Sequence, residues 1–579
     1  MSDGAPGGTE GARIAPRWLL PGVVAAAFLF FAAALPGRGL WHNDEHRYVE
    51  VARFMTTPAG DVLVPHLNGE IYPDKPPLFF WIVAAIHGAT GMDLAAAGRI
   101  PSALAGALAV AAVCAIGRRL WGTRAGVAAA VVLATTSEFW WLSVRANLDA
   151  LMTGLMTLGV AAFARAVFPL PGERERPALF GALAFLAVGV GSFVKGPASL
   201  VLPAASVGVF ALLVRDRRVT LSFLWGVPLA LLPLVAWLVA SGLHAGWGYV
   251  HDIAFGQWFG HPMGQVDKVE PWWFYAKALP VTLLPWTLLV PAALFALVRW
   301  RRSEERRADV FLACWVGVQL LLLSFSKAKR DLYLTPVMPA TALLVGRLAR
   351  DLLDGPPERL RHGLVAFGRF SIVGIALLAG LAAVAGGVAS LAGFDERLLG
   401  RWPAWHGLRP AATTAIALGA VVAGLAIVES SRRAILAKTA EGAARWVGTS
   451  VAGILLAAGL VVFPVLDRGR SSRPFAEAIA PIVKDAPLAD YGGTDFAPNW
   501  ILRRDVVKRL QDVGEVRNKD EERRRRAQAF LAAAGDGPAF LVVDRGYLDR
   551  NGLPDRMTIV LAFPRALDDD LVLLGRAPR

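Results

Sequence analysis

The sequence has little cysteine and little charge. Only two of its 579 residues are cysteines, Cys114 and Cys314, and each lies within or beside an apolar segment. Their spacing supports neither a disulfide framework nor a thiolate metal site, and both are expected to pack as small apolar side chains. Charged residues make up 18% of the chain against 55% hydrophobic residues. That composition is too apolar for a soluble chain of this length, so a polytopic membrane protein is predicted.

Long apolar runs are what the sequence has in abundance. A helix needs roughly 20 apolar residues to cross about 30 Å of hydrocarbon, and thirteen segments approach that length. The first of them has an apolar core longer than a cleaved leader uses, so we expect it to stay as an uncleaved span. The predicted spans are 18–35, 97–120, 124–138, 145–169, 178–194, 197–214, 221–243, 279–300, 308–326, 331–350, 369–392, 410–428 and 446–466.

The loop charges favour one topology. Segment 77–90, at about 14 residues, is short for a crossing, so we interpret it as a re-entrant or interfacial helix. Leaving it out places five strongly basic loops in the cytoplasm, as the positive-inside rule prefers. These loops are 118–124, 215–218, 299–307, 347–362 and 432–445. The rule also explains the net charge of +14 without a nucleic-acid partner.

This topology divides the chain into three parts. Residues 1–17, rich in Gly and Ala, are expected to be a disordered cytoplasmic tail. Residues 18–466 form the predicted transmembrane domain, with external loops 37–96 and 244–278. Residues 467–579 carry charges of both signs and no run of membrane length, which predicts a small external α/β domain. Its predicted strands are 539–544 and 569–576, and its predicted helices are 499–512 and 520–534.

A dense polar cluster follows the first span at 41–55. In a helix, Asp44 lies three residues before Arg47 and four before Tyr48, so the three side chains share one face. A carboxylate, a cation and a hydroxyl would then meet where a lipid headgroup sits. The alternative is an amphipathic surface helix whose charges pair in water.

The second half of the same loop ends in Asp74 and Lys75, directly before two prolines. Each proline restricts the residue before it to extended conformations, so Lys75 is held at the mouth of segment 77–90 with little backbone freedom. A fixed ammonium at headgroup depth suits a phosphate. Snorkelling of Lys75 as an interfacial anchor is the alternative.

Several short motifs together resemble a known family. DEHRYVEVARFM at 44–55 and LNGEIYPDKPPLFFW at 67–81 are similar to the first external loop of the bacterial aminoarabinose transferases, which are related to the protein O-mannosyltransferases. The resemblance extends over roughly 18–345. It continues through RIPS at 99–102, RANLDALMT at 145–153, SFVKGP at 192–197 and LSFSKAKRDLYLTPVMPA at 323–340.

The resemblance implies a GT-C type membrane glycosyltransferase that takes its sugar from a polyprenyl-phosphate carrier. Asp44 is then similar to the catalytic carboxylate and Glu45 to an acidic neighbour that helps hold the acceptor. Arg47 and Lys75 are similar to the groups around the carrier phosphate. The predicted number of membrane crossings places Lys329, Arg330 and Tyr333 on the same side of the membrane as Asp44. Cations there would stabilise a phosphate leaving group.

Three further ionisable residues near span ends are candidates for substrate binding. Arg145 and Asp149 are spaced i to i+4, and Lys195 lies in SFVKGP. Ionisable groups at membrane depth are costly unless they are paired or used, so each is either a site residue or a structural partner.

The second external loop departs from the family pattern. Gln257 stands where relatives often carry arginine in a Gly-Arg-Phe-like element, and a neutral amide does not replace a phosphate-binding cation. That departure leaves the identity of the sugar open. Asp74 stands where the aminoarabinose enzymes tend to have glutamate, which weighs against a metal near this loop. His251 and His261 are conceivable ligands for a divalent metal, but their spacing is not diagnostic, and no metal or other cofactor is predicted.

The predicted function is therefore sugar transfer at the external face of a bacterial inner membrane. The donor is a polyprenyl-phosphate sugar, and the acceptor is a lipid A-like lipid or another cell-surface molecule such as a glycan. The protein is also in contact with membrane lipid. One alternative is a transporter or flippase of lipid-linked sugars, which predicts ionisable residues at mid-membrane in two repeated halves. The sequence has no such repeat. A non-enzymatic assembly protein is a second alternative.

Overall fold

A computed structural model describes most of the chain. The described residues are 16–36, 38–41, 43–67, 70–170, 172–260, 263, 269–300, 302–392, 410–492, 501–502, 507–509, 519–554, 557–564 and 570–576. All but the last two residues of the predicted tail at 1–17 lie outside them.

Within these residues, nine helices are long and apolar enough to cross a membrane. Two bent pairs, with bends of 69° and 105°, raise the number to eleven if each pair is one span. The nine helices are Leu94–Trp121, Leu148–Val167, Pro177–Lys195, Val219–Ala245, Ser303–Phe325, Asp331–Leu353, Gly363–Leu391, Thr413–Leu436 and Ala440–Asp467. The pairs are Thr123–Ala134 with Ser137–Ser143, and Phe274–Thr282 with Trp286–Arg299.

Each of the thirteen predicted spans corresponds to a helix or a bent pair. Reaching thirteen requires both bent pairs and also Leu19–Ala32 and Ala198–Leu213, which are apolar but shorter than 18 residues. By length alone, the described chain therefore supports nine to eleven spans. Segment 77–90 forms the 13-residue helix Leu78–Thr90, which is likewise shorter than a crossing requires.

The helix Leu94–Trp121 occupies the centre of the bundle, and 78% of its most apolar stretch is buried, against 22% for Val219–Ala245. Its small residues permit close helix contacts. A Cβ atom added to Gly117 would lie 2.7 Å from the Cα atom of Gly126 in the following helix. No other residue type fits there without moving the backbone.

Two helices are tied together by buried charges at one end of the bundle. Arg347 is 1% exposed, and its guanidinium lies 3.0 Å from Asp309, 3.3 Å from Asp351 and 3.6 Å from Glu305. Arg350 donates to Glu305 at 2.7 Å. These contacts join Ser303–Phe325 to Asp331–Leu353, since each helix contributes charges of the cluster.

The elements between the helices Leu19–Ala32 and Leu94–Trp121 form one side of the candidate site. Helix Asn43–Met55 follows the first apolar helix and carries Asp44 and Glu45 in its first turn, where acids interact favourably with the helix dipole. Strands β1 (His66–Leu67) and β2 (Glu70–Ile71) pair antiparallel. Further along the chain, helix Trp247–His251 continues into a π-helix at Asp252–Gly260.

The C-terminal residues form a five-stranded sheet with the order β4-β3-β5-β7-β6. Strands β3, β4 and β5 are parallel, whereas β7 pairs antiparallel with both β5 and β6. The strands are β3 (Leu488–Gly492), β4 (Val507–Arg509), β5 (Phe540–Asp544), β6 (Met557–Phe563) and β7 (Leu571–Arg576). The accompanying helices are Arg473–Val483, Lys519–Ala533 and Arg545–Asn551.

The α/β prediction for this region is confirmed, with one error. The predicted strands 539–544 and 569–576 and the predicted helix 520–534 match β5, β7 and Lys519–Ala533. The predicted helix 499–512 is wrong at Val507–Arg509, which forms β4 beside β3. Cross-strand pairing there overrides the helical pattern, as is common for short segments. Apart from 501–502, the rest of that segment lies outside the described residues.

Candidate active site

The structure places Asp44 between two arginines. Arg47, one turn further along the same helix, donates a hydrogen bond to one carboxylate oxygen of Asp44. The Nη2 atom of Arg330 lies 3.8 Å from the other oxygen. Arg330 comes from the turn between the helices Ser303–Phe325 and Asp331–Leu353, so residues almost 300 positions apart in the sequence meet at one carboxylate. Two guanidinium groups hold this carboxylate in one place.

Asp74 links the same cluster to the second loop. Its carboxylate lies 3.8 Å from the Nη1 atom of Arg47 and accepts a hydrogen bond of 3.2 Å from the Nε2 atom of Gln257. The rings of Tyr48 and Tyr72 lie 5.7 and 5.9 Å from the guanidinium of Arg47. Burial raises the pKa of both tyrosines, so their hydroxyls stay protonated.

A cavity of about 370 Å³ opens beside this cluster. Six of the predicted site residues line it, and they supply its charged and polar end: Asp74, Lys75, Asp149, Lys195, Gln257 and Tyr333. Most of the remaining lining is apolar, and some of its apolar side chains, such as Val201 and Phe259, are exposed at the outer surface of the bundle. The cavity therefore has a charged end and an apolar end, a shape that suits an anionic headgroup on a hydrocarbon chain.

Lys195 and Asp149 form an ion pair at the charged end. Their Nζ and Oδ1 atoms are 2.5 Å apart, and Lys195 also lies 4.8 Å from the centre of the Tyr333 ring. Asp149 is fixed by its helix, because the side chain of Asn147 caps the first turn and accepts a bond from its backbone N–H. Asp149 and Lys195 are therefore both structural partners of each other and residues of the cavity wall.

Lys75 is the second ammonium group of the cavity. Its Nζ atom donates to the carbonyl oxygen of Asp74 at 3.0 Å, and it forms no ion pair with any residue that the structure describes. Burial lowers the pKa of Lys75 to about 8, although the neighbouring Asp74 carboxylate opposes the shift. Most of the lysine is still protonated at neutral pH, and an anion placed beside it would favour that charged form.

Glu45 belongs to a different cluster. Its carboxylate accepts two hydrogen bonds of 3.0 Å from Arg38 and one of 3.1 Å from each backbone N–H of Trp41 and Ala146. Burial alone would raise the pKa of Glu45, but the Arg38 guanidinium lowers it to about 2. Glu45 does not line the cavity. It ties the first loop to the start of helix Leu148–Val167, and its predicted role in holding the acceptor stays a prediction.

Two other predicted site residues do not line the cavity. Lys329 is 7% exposed and donates to the carbonyl oxygens of Glu270 and Ser326, so its ammonium holds a turn in place. Arg145 is 7% exposed and lies 5.2 Å from the Trp141 ring. Neither is among the residues that line the cavity.

Trp258 is a lining residue that the sequence reasoning missed. Its indole Nε1 atom is buried and has no hydrogen-bond partner in the described part of the chain. A Cβ atom added to Gly196, next to Lys195, would lie 2.5 Å from that nitrogen. The sequence does show that this loop is rich in tryptophan. That richness indicates a position at the membrane interface, and it does not predict that Trp258 is a hydrogen-bond donor inside a cavity.

A metal site is not apparent in the described ranges. No group of three or more His, Cys, Asp or Glu side chains lies close enough to hold an ion among the residues that the structure describes. His251 contacts Asp252 at 3.4 Å, and His261 lies outside the described residues.

Comparisons with known proteins agree with this architecture. The model of the dolichyl-phosphate-mannose-protein mannosyltransferase family matches residues 74–240. The undecaprenyl phosphate-alpha-4-amino-4-deoxy-L-arabinose arabinosyl transferase of Pseudomonas aeruginosa is 34% identical over 367 residues, which are 62% of this chain and 63% of the relative. A protein of the same description from Sodalis glossinidius is 29% identical over 87% of both chains.

The fold is also similar to a solved structure. ArnT from Cupriavidus metallidurans, crystallised with undecaprenyl phosphate, superposes with a TM-score of 0.73 over 96% of this chain and 98% of its own. The sequences are 20% identical in that alignment, so the match concerns the fold. The match to the P. aeruginosa relative spans 63% of that protein's length.

Proposed function

Because this chain belongs to the aminoarabinose-transferase-like family of GT-C type membrane proteins, we propose that it transfers a sugar from a polyprenyl-phosphate carrier to an acceptor at the external membrane face. The acceptor is a lipid A-like lipid or another surface glycan, and the enzyme resides in a bacterial inner membrane. Its loops around 37–96 and 244–278 and its C-terminal domain face outward. The sugar on the carrier is a pentose or a hexose. The relatives described above are arabinosyl transferases, and arabinose is a pentose.

The observation that carries the proposal is the two-ended cavity. Lys75 and Lys195 stand at its charged end, and the apolar lining leads toward the surface of the bundle. A polyprenyl phosphate has a complementary form, with an anionic head on a long hydrocarbon chain. Cations close to the phosphate would stabilise the charge that grows as the carrier leaves. The indole N–H of Trp258 is a further donor in the same wall.

We assign Asp44 a role on the acceptor, because Arg47 and Arg330 hold its carboxylate beside the cavity. In the proposed step, an acceptor oxygen attacks the anomeric carbon of the sugar, and the bond from that carbon to the phosphate oxygen breaks. Its electron pair leaves with the polyprenyl phosphate. An acceptor hydroxyl gives its proton to Asp44 as it attacks. An acceptor phosphate is already ionised, and Asp44 with its two arginines would then orient it.

Reconstitution tests the proposed reaction. Purified full-length protein in vesicles would be supplied with undecaprenyl-phosphate sugars and lipid A, and the products followed by mass spectrometry. The proposal predicts acceptor that is heavier by one sugar, together with free carrier. Movement of lipid-linked sugar across the vesicle membrane with no such product would support a transporter. Surface glycans and lipid A from cells with and without the gene would identify the sugar.

Replacing Lys195 is expected to weaken carrier binding. In Lys195→Met one cation is lost and the buried carboxylate of Asp149 remains to repel the phosphate. A hydrogen bond to a charged group contributes about 1.5–3 kcal/mol, so the Kd for undecaprenyl phosphate should rise roughly 10- to 150-fold. The matched control is Lys195→Met combined with Asp149→Asn, which should recover part of the affinity. Unchanged affinity in the single variant would place the phosphate elsewhere.

Carrier affinity is expected to depend on pH through Lys75. The ammonium form binds the phosphate, and the pKa of Lys75 in the free protein is about 8. Affinity should therefore be retained below about pH 7 and fall as the pH rises through 8, because the free lysine loses its proton there. Kd values for undecaprenyl phosphate between about pH 6.5 and 9.5 check this. In Lys75→Arg the guanidinium keeps its charge, so an equal fall in that variant would exclude Lys75 as the cause.

A further inference from the structure

A second cavity, of about 430 Å³, lies between four helices of the bundle. Its walls come from Thr123–Ala134, Met338–Leu353, Gly363–Leu391 and Ala440–Ala457. Most of its lining is apolar, with valine, leucine and alanine side chains from all four helices. Nothing in the proposed transfer reaction uses this cavity.

The two cavities lie toward opposite ends of one helical segment. Tyr333 and Pro336, at the start of Asp331–Leu353, line the first cavity, whereas Leu348 and Leu353 line the second. The helix Met338–Leu353 has 16 residues, which corresponds to a length of about 24 Å. The second cavity is thus on the side of the bundle that the basic loops place in the cytoplasm.

The charged groups in the second cavity are mainly positive. Arg124, Arg369 and Arg445 line it, against one acid, Glu441. Arg124 is paired with Asp354, and the guanidinium of Arg445 lies 5.2 Å from the Trp446 ring. Two of the wall helices begin here, at Thr123 and Ala440, and a helix N-terminus carries partial positive charge.

Two donor atoms of Arg369 have no acceptor among the described residues. It lies six residues into the helix Gly363–Leu391, and its Nε and Nη1 atoms are buried without a hydrogen-bond partner in the described part of the chain. Its nearest described aromatic contact is Phe370, at 4.4 Å. Leaving the donors of a charged group unsatisfied is costly, and an arginine at membrane depth is rarely left without a partner or a function. An anion in the cavity would supply the missing acceptors.

We propose that this cavity binds an anionic phospholipid of the membrane. The phosphate accepts hydrogen bonds from Arg369, and an acyl chain occupies the apolar part of the lining. A small soluble anion would leave that apolar part in water, whereas a zwitterionic lipid would not match the excess of arginine. Basic pockets between transmembrane helices on the cytoplasmic side are known to suit anionic headgroups. Because the site is far from Asp44, the proposal does not depend on the transfer reaction.

Native mass spectrometry of the full-length protein in detergent tests the proposal. Phosphatidylglycerol and phosphatidylcholine with identical acyl chains would each be titrated. We expect the wild type to bind phosphatidylglycerol at least tenfold more tightly, and Arg369→Gln to lose that preference. The matched control is Arg432→Gln, an exposed arginine paired with Glu429 outside the cavity. It should bind both lipids like the wild type.

A second variant keeps the test decisive if Arg369→Gln misfolds. Ala349 is a partly exposed lining residue, so Ala349→Phe fills space in the cavity and leaves every arginine in place. It should also lose the tightly bound phosphatidylglycerol, while its elution volume and its affinity for undecaprenyl phosphate at the first cavity stay unchanged. Equal binding of the two lipids by the wild type, or full phosphatidylglycerol binding by both variants, would overturn the proposal. So would displacement of phosphatidylglycerol by stoichiometric undecaprenyl phosphate.

Discussion

Asp44→Asn is expected to lower the rate of sugar transfer by about 10²- to 10⁴-fold, the usual range for a positioned acid or base. The amide has nearly the shape of the carboxylate, so the loop should keep its fold. It accepts no proton from an acceptor hydroxyl, and it loses the charge that holds Arg47 and Arg330. The rate under single-turnover conditions, with enzyme in excess over the carrier-linked sugar and with saturating acceptor, measures the effect on the chemical step.

The controls for this variant separate catalysis from binding. Asp549 is an exposed carboxylate of the C-terminal domain that pairs with Arg545, and Asp549→Asn should transfer sugar at the wild-type rate. The Kd for undecaprenyl phosphate should stay within a fewfold of the wild type in Asp44→Asn, because the ammonium groups of Lys75 and Lys195 are unchanged. Normal transfer by Asp44→Asn would refute the proposed mechanism. Lost carrier binding would instead assign Asp44 to the donor site.

Arg347→Met is expected to destabilise the protein by about 3–5 kcal/mol, the typical cost of removing one partner from a buried ion pair. Three carboxylates, those of Glu305, Asp309 and Asp351, lie within 4 Å of this guanidinium, and the methionine leaves them without their central cation. Thermal unfolding of the purified protein in detergent should show a clear decrease in Tm. Folded yield should fall as well.

A surface pair gives the comparison for Arg347. Arg433 contacts Glu429 at 2.6 Å with both side chains more than 40% exposed. Arg433→Met should change stability by about 0–1 kcal/mol, as exposed pairs usually do. Adding Asp309→Asn to Arg347→Met should recover part of the loss, since one uncompensated charge is removed. An unaltered Tm in Arg347→Met would mean that the cluster contributes nothing to folding.

Helical spacing and topology together predicted the core of the candidate site. The interval of three residues between Asp44 and Arg47 gives neighbours on any helix, and a consistent count of spans brings Arg330 to the same face. The two prolines after Lys75 likewise place it at the mouth of a short helix. These rules depend only on the order and spacing of residues along the chain, so they can be applied to the sequence alone.

The direction of individual side chains was less predictable. Glu45 follows Asp44 directly, but successive residues of a helix point about 100° apart, and its carboxylate meets Arg38. Lys329 and Arg330 are also adjacent, yet only Arg330 reaches Asp44. Strand β4 forms because it pairs with β3, and no local sequence pattern reveals that pairing. Such contacts are decided by tertiary packing.

The tight central helix has a mechanical consequence. Where Gly117 and Gly126 bring two backbones together, neither helix has room to slide or rotate. The frame that carries Asp149 at the start of the adjoining helix is therefore expected to stay still during turnover. The segment Asp252–Gly260 is also anchored to the first loop, by the hydrogen bond from Gln257 to Asp74 and by a buried apolar cluster that contains Ile253 and Val64. Any opening of that segment would have to break both contacts.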